Sequence, residues 1–252
     1  MTRIVADLGN SRLKWGRIDH DGRLGSTITL ATDDPTAWAS AWDAWGLGEE
    51  TAWSIASVNP PLADRLGRFL EGRCVADVRW YRSAAEVDVR HELERPESAG
   101  ADRALAVVGA LALGPGEGPG LVVSCGTAVT VERIGAGGVW QGGAIAPGLG
   151  PMARALHLST AQLPEVAPRQ APAPFGRSTI PALEAGVFWG VVGAIRELLD
   201  RQAADLAPAP WLVWTGGDAP TLAPWVDRPR SRVVTDLVLL GLAFGGGLGP
   251  RD

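Results

Sequence analysis

The sequence predicts an α/β protein built from two similar domains, mainly because one local pattern occurs twice along the chain. Near the N-terminus, RIVADLG reads as a buried strand that runs into a glycine turn and then into another strand. The stretch LVVSCGTAVTVERI repeats this order in the second half. A glycine follows Asp7 by two positions in the first copy and Ser124 by two positions in the second. We infer an internal duplication, in which two facing domains place their glycine turns on opposite sides of one ligand.

The residues after the first glycine turn alternate as in a strand. Leu13 and Trp15 are apolar and their neighbours are not, a period of two rather than 3.6. With a further turn at HDG and the run RLGSTITLA, this predicts a meander of three antiparallel strands. P-loops and dinucleotide-binding loops open a helix instead, so the pattern argues against both. Helices are expected at 34–48, 60–72 and from about 98, and strands at 54–58 and 75–81.

Glycines and prolines at 114–120 separate a helix from a strand and predict the domain boundary, which gives domains 1–116 and 117–252. The second domain is expected to begin with another meander. It should continue with a helix at 148–158, a proline-rich loop at 164–174, a long helix at 179–204, a strand at 211–217 and a last helix from about 235.

Composition and charge limit the kinds of partner and the cellular compartment that we expect for this protein. The net charge of -5 provides no basic field, which argues against nucleic acid as a partner. Cys74 and Cys125 are too few for a disulfide framework and fit no metal spacing, so a reducing compartment is expected. The apolar runs at 104–113 and 237–244 are too short to cross a bilayer core of about 30 Å, and the polar turn soon after residue 1 argues against a secretory signal. We expect a cytoplasmic protein without a membrane partner.

The motif DLGNSRLK suggests a phosphate site. Amides of a tight glycine turn can surround phosphate oxygens, Asn10 and Ser11 add side-chain donors, and Lys14 adds a cation. Asp7 would organise magnesium, through water, because this ion keeps much of its hydration shell. A plain β-hairpin with a solvated lysine is the alternative.

The motif SAGADRALAVVGALAL suggests the start of a buried helix, with Ser98 as a candidate cap. Asp102 could accept a proton from a substrate hydroxyl, and Arg103 could hold an anionic group of that substrate. Alternatively, Asp102 is only a partner of the helix dipole.

The second hairpin, SCGTAVT, offers Gly126 and Thr127 for another phosphate contact. Cys125 is a nucleophile candidate by residue type, but no histidine stands in suitable relation to it, which argues against a cysteine mechanism. The motifs GGAIAPGL and TGG allow close backbone approach to a ligand, although each is weak alone.

Taken in order, DLGNS, GADR, GTAVT, GGAIAPGL, STAQLP, STIPALEAG and TGG resemble the motifs of the type III pantothenate kinase family over nearly the whole chain. The resemblance implies two ribonuclease H-like domains of the actin-like ATPase fold around an ATP cleft, in a homodimer. It also implies ATP-dependent phosphorylation of pantothenate to 4'-phosphopantothenate, the first step of coenzyme A synthesis. Mg²⁺ would serve as cofactor, and K⁺ or NH₄⁺ as an activating ion.

The resemblance assigns residues to three roles. Asp102 would be the proton acceptor. The residues implied in ATP binding are Asp7, Leu8, Gly9, Asn10, Ser11, Arg12, Leu13, Lys14, Gly126 and Thr127. Those implied in pantothenate binding are Leu93, Gly100, Ala101, Asp102, Arg103 and Thr179, the last across the dimer interface.

Three positions depart from the family pattern. Ser124 stands where an aspartate usually helps to bind the monovalent cation, so a weak response to potassium is expected. Leu93 replaces a tyrosine that contacts pantothenate, and Glu132 replaces an aspartate. Because of these departures, an alternative interpretation is that the protein is a non-catalytic relative that binds nucleotide or regulates a partner. A sugar or acetate kinase fits the GADR and GTA motifs less well.

Overall fold

The computed structural model describes residues 2–74, 76–114, 116, 118–168, 170–226 and 228–245. Within residues 2–113 the helices and strands follow the predicted order. They are β1 Arg3–Leu8, β2 Leu13–Ile18, β3 Leu24–Leu30, α1 Pro35–Ala44, β4 Ala52–Ser57, α2 Pro60–Glu71, β5 Val78–Tyr81 and α3 Ala101–Ala112. The strand expected at 75–81 is therefore shorter, and Val75 lies outside the described residues.

The next segment repeats this architecture. It contains β6 Gly120–Cys125, β7 Ala128–Ile134, β8 Trp140–Pro147, α4 Leu149–Leu158, α5 Thr179–Ala203, β9 Trp211–Thr215, the short α6 Ala219–Leu222 and β10 Ser231–Val233. The strand β10, only three residues long, was not predicted from the sequence. The chain ends its described part with α7 Leu237–Gly245.

The two sheets have the same topology, which confirms the predicted α/β duplication. The first has the order β3-β2-β1-β4-β5 and the second, read from its other edge, β8-β7-β6-β9-β10. In each, three strands form an antiparallel meander. The fourth strand, β4 or β9, pairs in parallel with the first strand of the meander and with the fifth strand, β5 or β10. Parallel neighbours of this kind are joined by crossover connections, here through helices.

Contacts divide the chain into two units. One comprises residues up to Leu113 together with those from Asp236 onward, and the other comprises Gly114–Thr235. The division falls close to the expected boundary after residue 116, but α7 groups with the first unit although the sequence assigned 117–252 to one domain. The reason is close backbone packing: a Cβ on Gly109 of α3 would lie 2.2 Å from Leu237 O, and one on Gly241 would lie 2.0 Å from Leu105 O.

Tryptophans fill much of the first unit's core, on the side of the sheet covered by α1 and α2. Trp15 packs edge-on against Trp53, with ring centroids 5.1 Å apart, and Trp42 stacks on Trp53. Both helices begin at a proline and are capped from the preceding residue, because Asp34 and Asn59 accept backbone N–H bonds of the first turn. The other side of this sheet contacts α3 and α7.

In the second unit, α4, α5 and α6 pack on one face of the sheet. The core there is formed by alternate residues of β6 and β7 with the buried face of α5. Phe188, Trp189 and Trp225 form a group of edge-on rings beside it. Seven of the eleven tryptophans are buried, so most of them have a packing role.

Candidate functional site

The first hairpin presents an acid and a base side by side. Asp7 on β1 and Lys14 on β2 are direct cross-strand partners. Strand alternation puts both on the face opposite Leu8, Leu13 and the tryptophan core. The turn between the strands is closed by a bond from Gly9 N–H to Arg12 O of 3.1 Å. The three turn residues Asn10, Ser11 and Arg12 are exposed, and the Asn10 side-chain oxygen accepts a hydrogen bond from the Asn59 amide at 2.9 Å.

Asp236 is a residue of this site that the sequence analysis missed. The Lys14 Nζ atom lies 2.9 Å from Asp236 Oδ1. The second carboxylate oxygen, Oδ2, is 3.4 Å from the hydroxyl of Thr27 on β3. The pair Thr-Asp before an apolar run is a typical helix start, but nothing in the sequence relates position 236 to position 14.

Two further carboxylates, those of Asp102 and Asp236, act electrostatically on Asp7. Burial is the largest cause that raises the pKa of Asp7 from 3.8 to about 7; the charges of Asp102 and Asp236 contribute to the rise, and Lys14 opposes it. Asp7, Asp102 and Asp236 are therefore close enough to interact electrostatically. The tertiary structure brings together the DLGNS and GADR motifs, which the sequence analysis could only treat separately.

Asp102 lies in the first turn of α3, half-buried, as expected. Its Oδ1 accepts the N–H of Arg103 at 2.9 Å. A Cβ on Gly100 would lie 2.4 Å from that same oxygen and 3.0 Å from Val58. The glycine of GADR therefore leaves room for the carboxylate. Ser98 is not the cap, since the helix begins at Ala101 and the Ser98 hydroxyl donates to Arg95 O.

A small cavity adjoins this helix start. Its volume is about 100 Å³, and it is lined by Ser57, Val58, Pro60, Ala63 and Arg82. Val58 contributes both to this cavity and to the packing around Gly100. Leu93, the position where the family pattern has a tyrosine, is half-buried and donates its N–H to His91 Nδ1.

Three glycine motifs meet at the second hairpin. Gly148 donates its N–H to Thr127 O at 3.0 Å, and a Cβ there would lie 2.1 Å from Gly126 O. Gly216, with φ of 93°, is packed against Cys125 O, where a Cβ would come within 2.2 Å. SCGT, APGL and TGG thus form one cluster at the end of β6. Thr127 itself is exposed.

Ser124 is the structural counterpart of Asp7, and its two strand partners are uncharged. Its cross-strand partner is Thr130, as Lys14 is that of Asp7, and its parallel partner on β9 is Thr215. The hydroxyl of Thr130 is buried, without a hydrogen-bond partner among the described residues. Glu132, two residues further along β7, is fully buried and accepts the Trp140 indole N–H at 3.0 Å.

The Cys125 thiol is not poised as a nucleophile. Burial, with a contribution from the charge of Asp218, raises its pKa to about 12. The thiolate is therefore scarce at neutral pH. Thr179 lies at the first turn of α5, exposed to solvent beside the exposed Ile180.

Within the described residues, no group of three His, Cys, Asp or Glu side chains could hold a metal ion. A divalent ion bound at Asp7 would accordingly need ligands from water or a bound phosphate, which is how magnesium is commonly held. The same part of the chain contains no helix that is long and apolar enough to span a membrane.

Comparison with known proteins yields one family. A model of the type III pantothenate kinase family matches residues 3–201. A type III pantothenate kinase from Janthinobacterium sp. (strain Marseille) is 36% identical over 251 residues, 95% of each chain. One from Akkermansia muciniphila is 32% identical over 248 residues, covering 98% of this chain and 99% of the relative.

Solved structures with low sequence identity share the fold. The archaeal actin homolog Ta0583 has a TM-score of 0.53 at 13% identity, with 96% of this chain and 98% of that chain covered. The activator of the 2-hydroxyisocaproyl-CoA dehydratase from Clostridium difficile, with bound ADPNP, has a TM-score of 0.54 at 11% identity, with 97% and 93% covered. These likenesses confirm the predicted actin-like ATPase fold.

Proposed function

The chain belongs to the type III pantothenate kinase family and is thus an ATP-dependent kinase of pantothenate, and we propose that Asp102 is the proton acceptor of the reaction. The reaction transfers the γ-phosphoryl group of ATP to the terminal hydroxyl of pantothenate, which gives 4'-phosphopantothenate, the first step of coenzyme A synthesis. The proposal rests on the position of Asp102 in the first turn of α3, where its charge acts on Asp7 of the first hairpin. This places a carboxylate, which can accept a proton, near the hairpin that is suited to bind phosphate.

ATP is held mainly by the first hairpin. The exposed amides and side chains of its turn surround the phosphates, while Lys14 supplies a positive charge close to them. Gly126 and Thr127 of the second hairpin also contact ATP. The convergence of the three glycine motifs there supports this role, because backbone without side chains permits close approach of a ligand. The proposed ATP-binding residues are Asp7, Leu8, Gly9, Asn10, Ser11, Arg12, Leu13, Lys14, Gly126 and Thr127.

Magnesium fits the carboxylate of Asp7. Asp7 would hold a hydrated ion, because the described residues form no cage of protein ligands and magnesium is commonly held by one or two carboxylates together with water and substrate phosphates. When bound, the ion would neutralise charge on the transferring phosphate. Binding a cation also resolves the unfavourable burial of the ionised Asp7 carboxylate.

Pantothenate is bound at the start of α3. Asp102 orients the terminal hydroxyl and takes its proton, and Arg103 pairs with an anionic group of the substrate. The proposed substrate-binding residues are Leu93, Gly100, Ala101, Asp102, Arg103 and Thr179. Phosphoryl transfer requires mainly alignment and charge neutralisation, so one carboxylate that orients the hydroxyl is sufficient.

A monovalent cation, K⁺ or NH₄⁺, would bind weakly beside Ser124. The neighbouring hydroxyls of Ser124, Thr130 and Thr215 provide neutral oxygens, and the oxygen of the unpartnered Thr130 hydroxyl can ligate K⁺ or accept a hydrogen bond from NH₄⁺. They add no negative charge. Activation by the ion is therefore expected to be small.

The protein acts in the cytoplasm as a homodimer. Two free cysteines agree with a reducing compartment. Exposed apolar side chains around the start of α5 and on β8, among them Ile180 and Ile145, support burial against a second copy. Thr179 would then contact pantothenate bound to the partner subunit.

The experiment is an assay of pantothenate-dependent ADP formation by purified protein with magnesium-ATP. We expect turnover together with a product one phosphoryl group heavier than pantothenate. Absence of turnover at every potassium, sodium and ammonium concentration tested, in protein that still binds ATP, would overturn the proposed catalytic role.

A further inference from the structure

We propose that Asp236 is a positioning residue that holds the ammonium group of Lys14 in the direction needed to meet the ATP phosphates. The inference rests on the proposed function, since it assumes that Lys14 contacts phosphate. It adds a residue at the far end of the chain that no motif of the hairpin contains. Asp236 itself would touch neither substrate and would act through Lys14.

The ion pair is sheltered from solvent at its basic end. The Lys14 side chain is 16% exposed and that of Asp236 is 29% exposed, at an Nζ to Oδ1 distance of 2.9 Å. A lysine has many rotamers, and its compact ammonium group can point in many directions. A carboxylate in contact with it removes most of that freedom before ATP arrives, which is how preorganisation aids binding.

The backbone of Lys14 does not need this ion pair. Lys14 is paired with Asp7 on one side and with Thr29 on the other, in the middle strand of the meander. Its neighbours Leu13 and Trp15 are fully buried in the core on the opposite face. Loss of the Asp236 charge should therefore release the end of the side chain and leave the strand in place.

Asp236 is itself held firmly enough to fix another group. It directly precedes α7, whose backbone packs on α3 through Gly109 and Gly241. The Asp236 carbonyl accepts the N–H of Leu240, which joins the residue to the first turn of the helix. The Thr27 hydroxyl, 3.4 Å away, faces the carboxylate oxygen that Lys14 does not occupy. The packing of α7 on α3 thereby fixes the position of Asp236, and Asp236 in turn holds the ammonium group of Lys14.

The test compares Asp236→Asn, Asp236→Glu and the control Asp33→Asn, an exposed aspartate of the same unit. Asparagine keeps the size of Asp236 and one acceptor oxygen without its charge. We expect Asp236→Asn to raise the KM for ATP about tenfold, as loss of preorganisation would, with the KM for pantothenate unchanged. Asp236→Glu should recover part of the loss, and Asp33→Asn should behave as wild type.

A double-mutant cycle separates positioning from support of the fold. In a Lys14→Met background, Asp236→Asn should have no further effect on ATP binding, measured calorimetrically with an ATP analogue and magnesium. Additive effects in the cycle would mean that Asp236 acts independently of Lys14. Tighter ATP binding by Asp236→Asn would mean that Asp236 competes with phosphate for the lysine. Either result overturns the proposal.

The two proposals can fail separately. If wild type turns over pantothenate but Asp236→Asn is unchanged in both assays, only the positioning role is lost. If wild type shows no turnover while the calorimetric cycle still couples Asp236 to Lys14, the positioning role stands and the catalytic function falls. Thermal unfolding of each variant verifies that these comparisons concern folded protein.

Discussion

The ammonium group of Lys14 lies 2.9 Å from the carboxylate of Asp236, although the two residues are 222 positions apart in the chain. The pair links the second strand to the last helix within one unit. It places a third acid near Asp7 and Asp102, both of which precede it by more than half the sequence. The charges of the proposed phosphate site are thus drawn from three distant parts of the chain.

Replacing Asp102 by asparagine should reduce turnover by about 10²- to 10⁴-fold, the range of a lost general base. The amide oxygen of asparagine can still accept the N–H of Arg103, so the start of α3 should remain folded. Steady-state assays measure the loss, and unchanged binding of an ATP analogue serves as the control. Near-wild-type turnover would show that another group accepts the proton.

Replacing Gly100 by alanine should also lower turnover, because the added Cβ would lie 2.4 Å from Asp102 Oδ1 and displace the carboxylate. The matched control is Gly67→Ala in α2, where a Cβ has only a tryptophan ring at 4.0 Å near it. That variant should keep wild-type kinetics and gain roughly 0.5–1 kcal/mol of stability from helix propensity. Equal kinetics for the two variants would contradict this account of Gly100.

The stability of the metal-free protein should fall as pH rises from about 4 to about 7, as far as Asp7 contributes. The pKa of this group is raised from 3.8 to about 7 on folding, so the folded state retains a proton that the unfolded state has already lost. Asp7→Asn removes this effect. It should be more stable than wild type at pH 8 by roughly 2–4 kcal/mol and about equal near pH 4.

Urea unfolding at several pH values, without magnesium or nucleotide, measures the difference. Asp33→Asn, at an exposed position, should show no such dependence on pH relative to wild type. If the difference in free energy of unfolding between Asp7→Asn and wild type stays constant from pH 4 to 8, Asp7 is ionised in the folded protein throughout this range.

Turnover should respond only weakly to potassium, because Ser124 and its neighbours Thr130 and Thr215 offer neutral oxygens. Ser124→Asp restores a full negative charge and should increase the response about tenfold or more. A thermal shift on adding potassium, present in this variant and small in wild type, gives a readout independent of activity. A steep requirement for potassium in wild type would refute the interpretation of Ser124.

Gly241→Ala should destabilise the protein by about 1–3 kcal/mol or more, the usual result of overpacking. The new Cβ would lie 2.0 Å from Leu105 O, a backbone atom that cannot rotate away. Chemical unfolding measures the change, with Gly67→Ala again as control. Unchanged stability would show that α7 and α3 can separate at little cost.

The meanders and the glycine turns could be predicted from the sequence because their causes are local. Alternation of apolar residues and the position of Gly9 or Gly126 suffice to predict a strand, a turn and a second strand. The shared strand order of the two sheets confirms this reading. The prediction that Ser98 caps α3 was wrong. A serine suits both a helix cap and a short turn, and Ser98 lies in the 3₁₀ turn that precedes the helix.

The sequence by itself determined the two hairpins, the helix that carries Asp102, and the family to which these motifs belong. Only the tertiary structure decided that α7 joins the first unit, that Asp236 meets Lys14, and that burial changes the pKa of Asp7. The physical reason is that strands and turns follow from neighbouring residues, whereas ion pairs and desolvation depend on which distant segments pack together. At Gly109 and Gly241, that packing is set by helix backbones in contact, which no local pattern reveals.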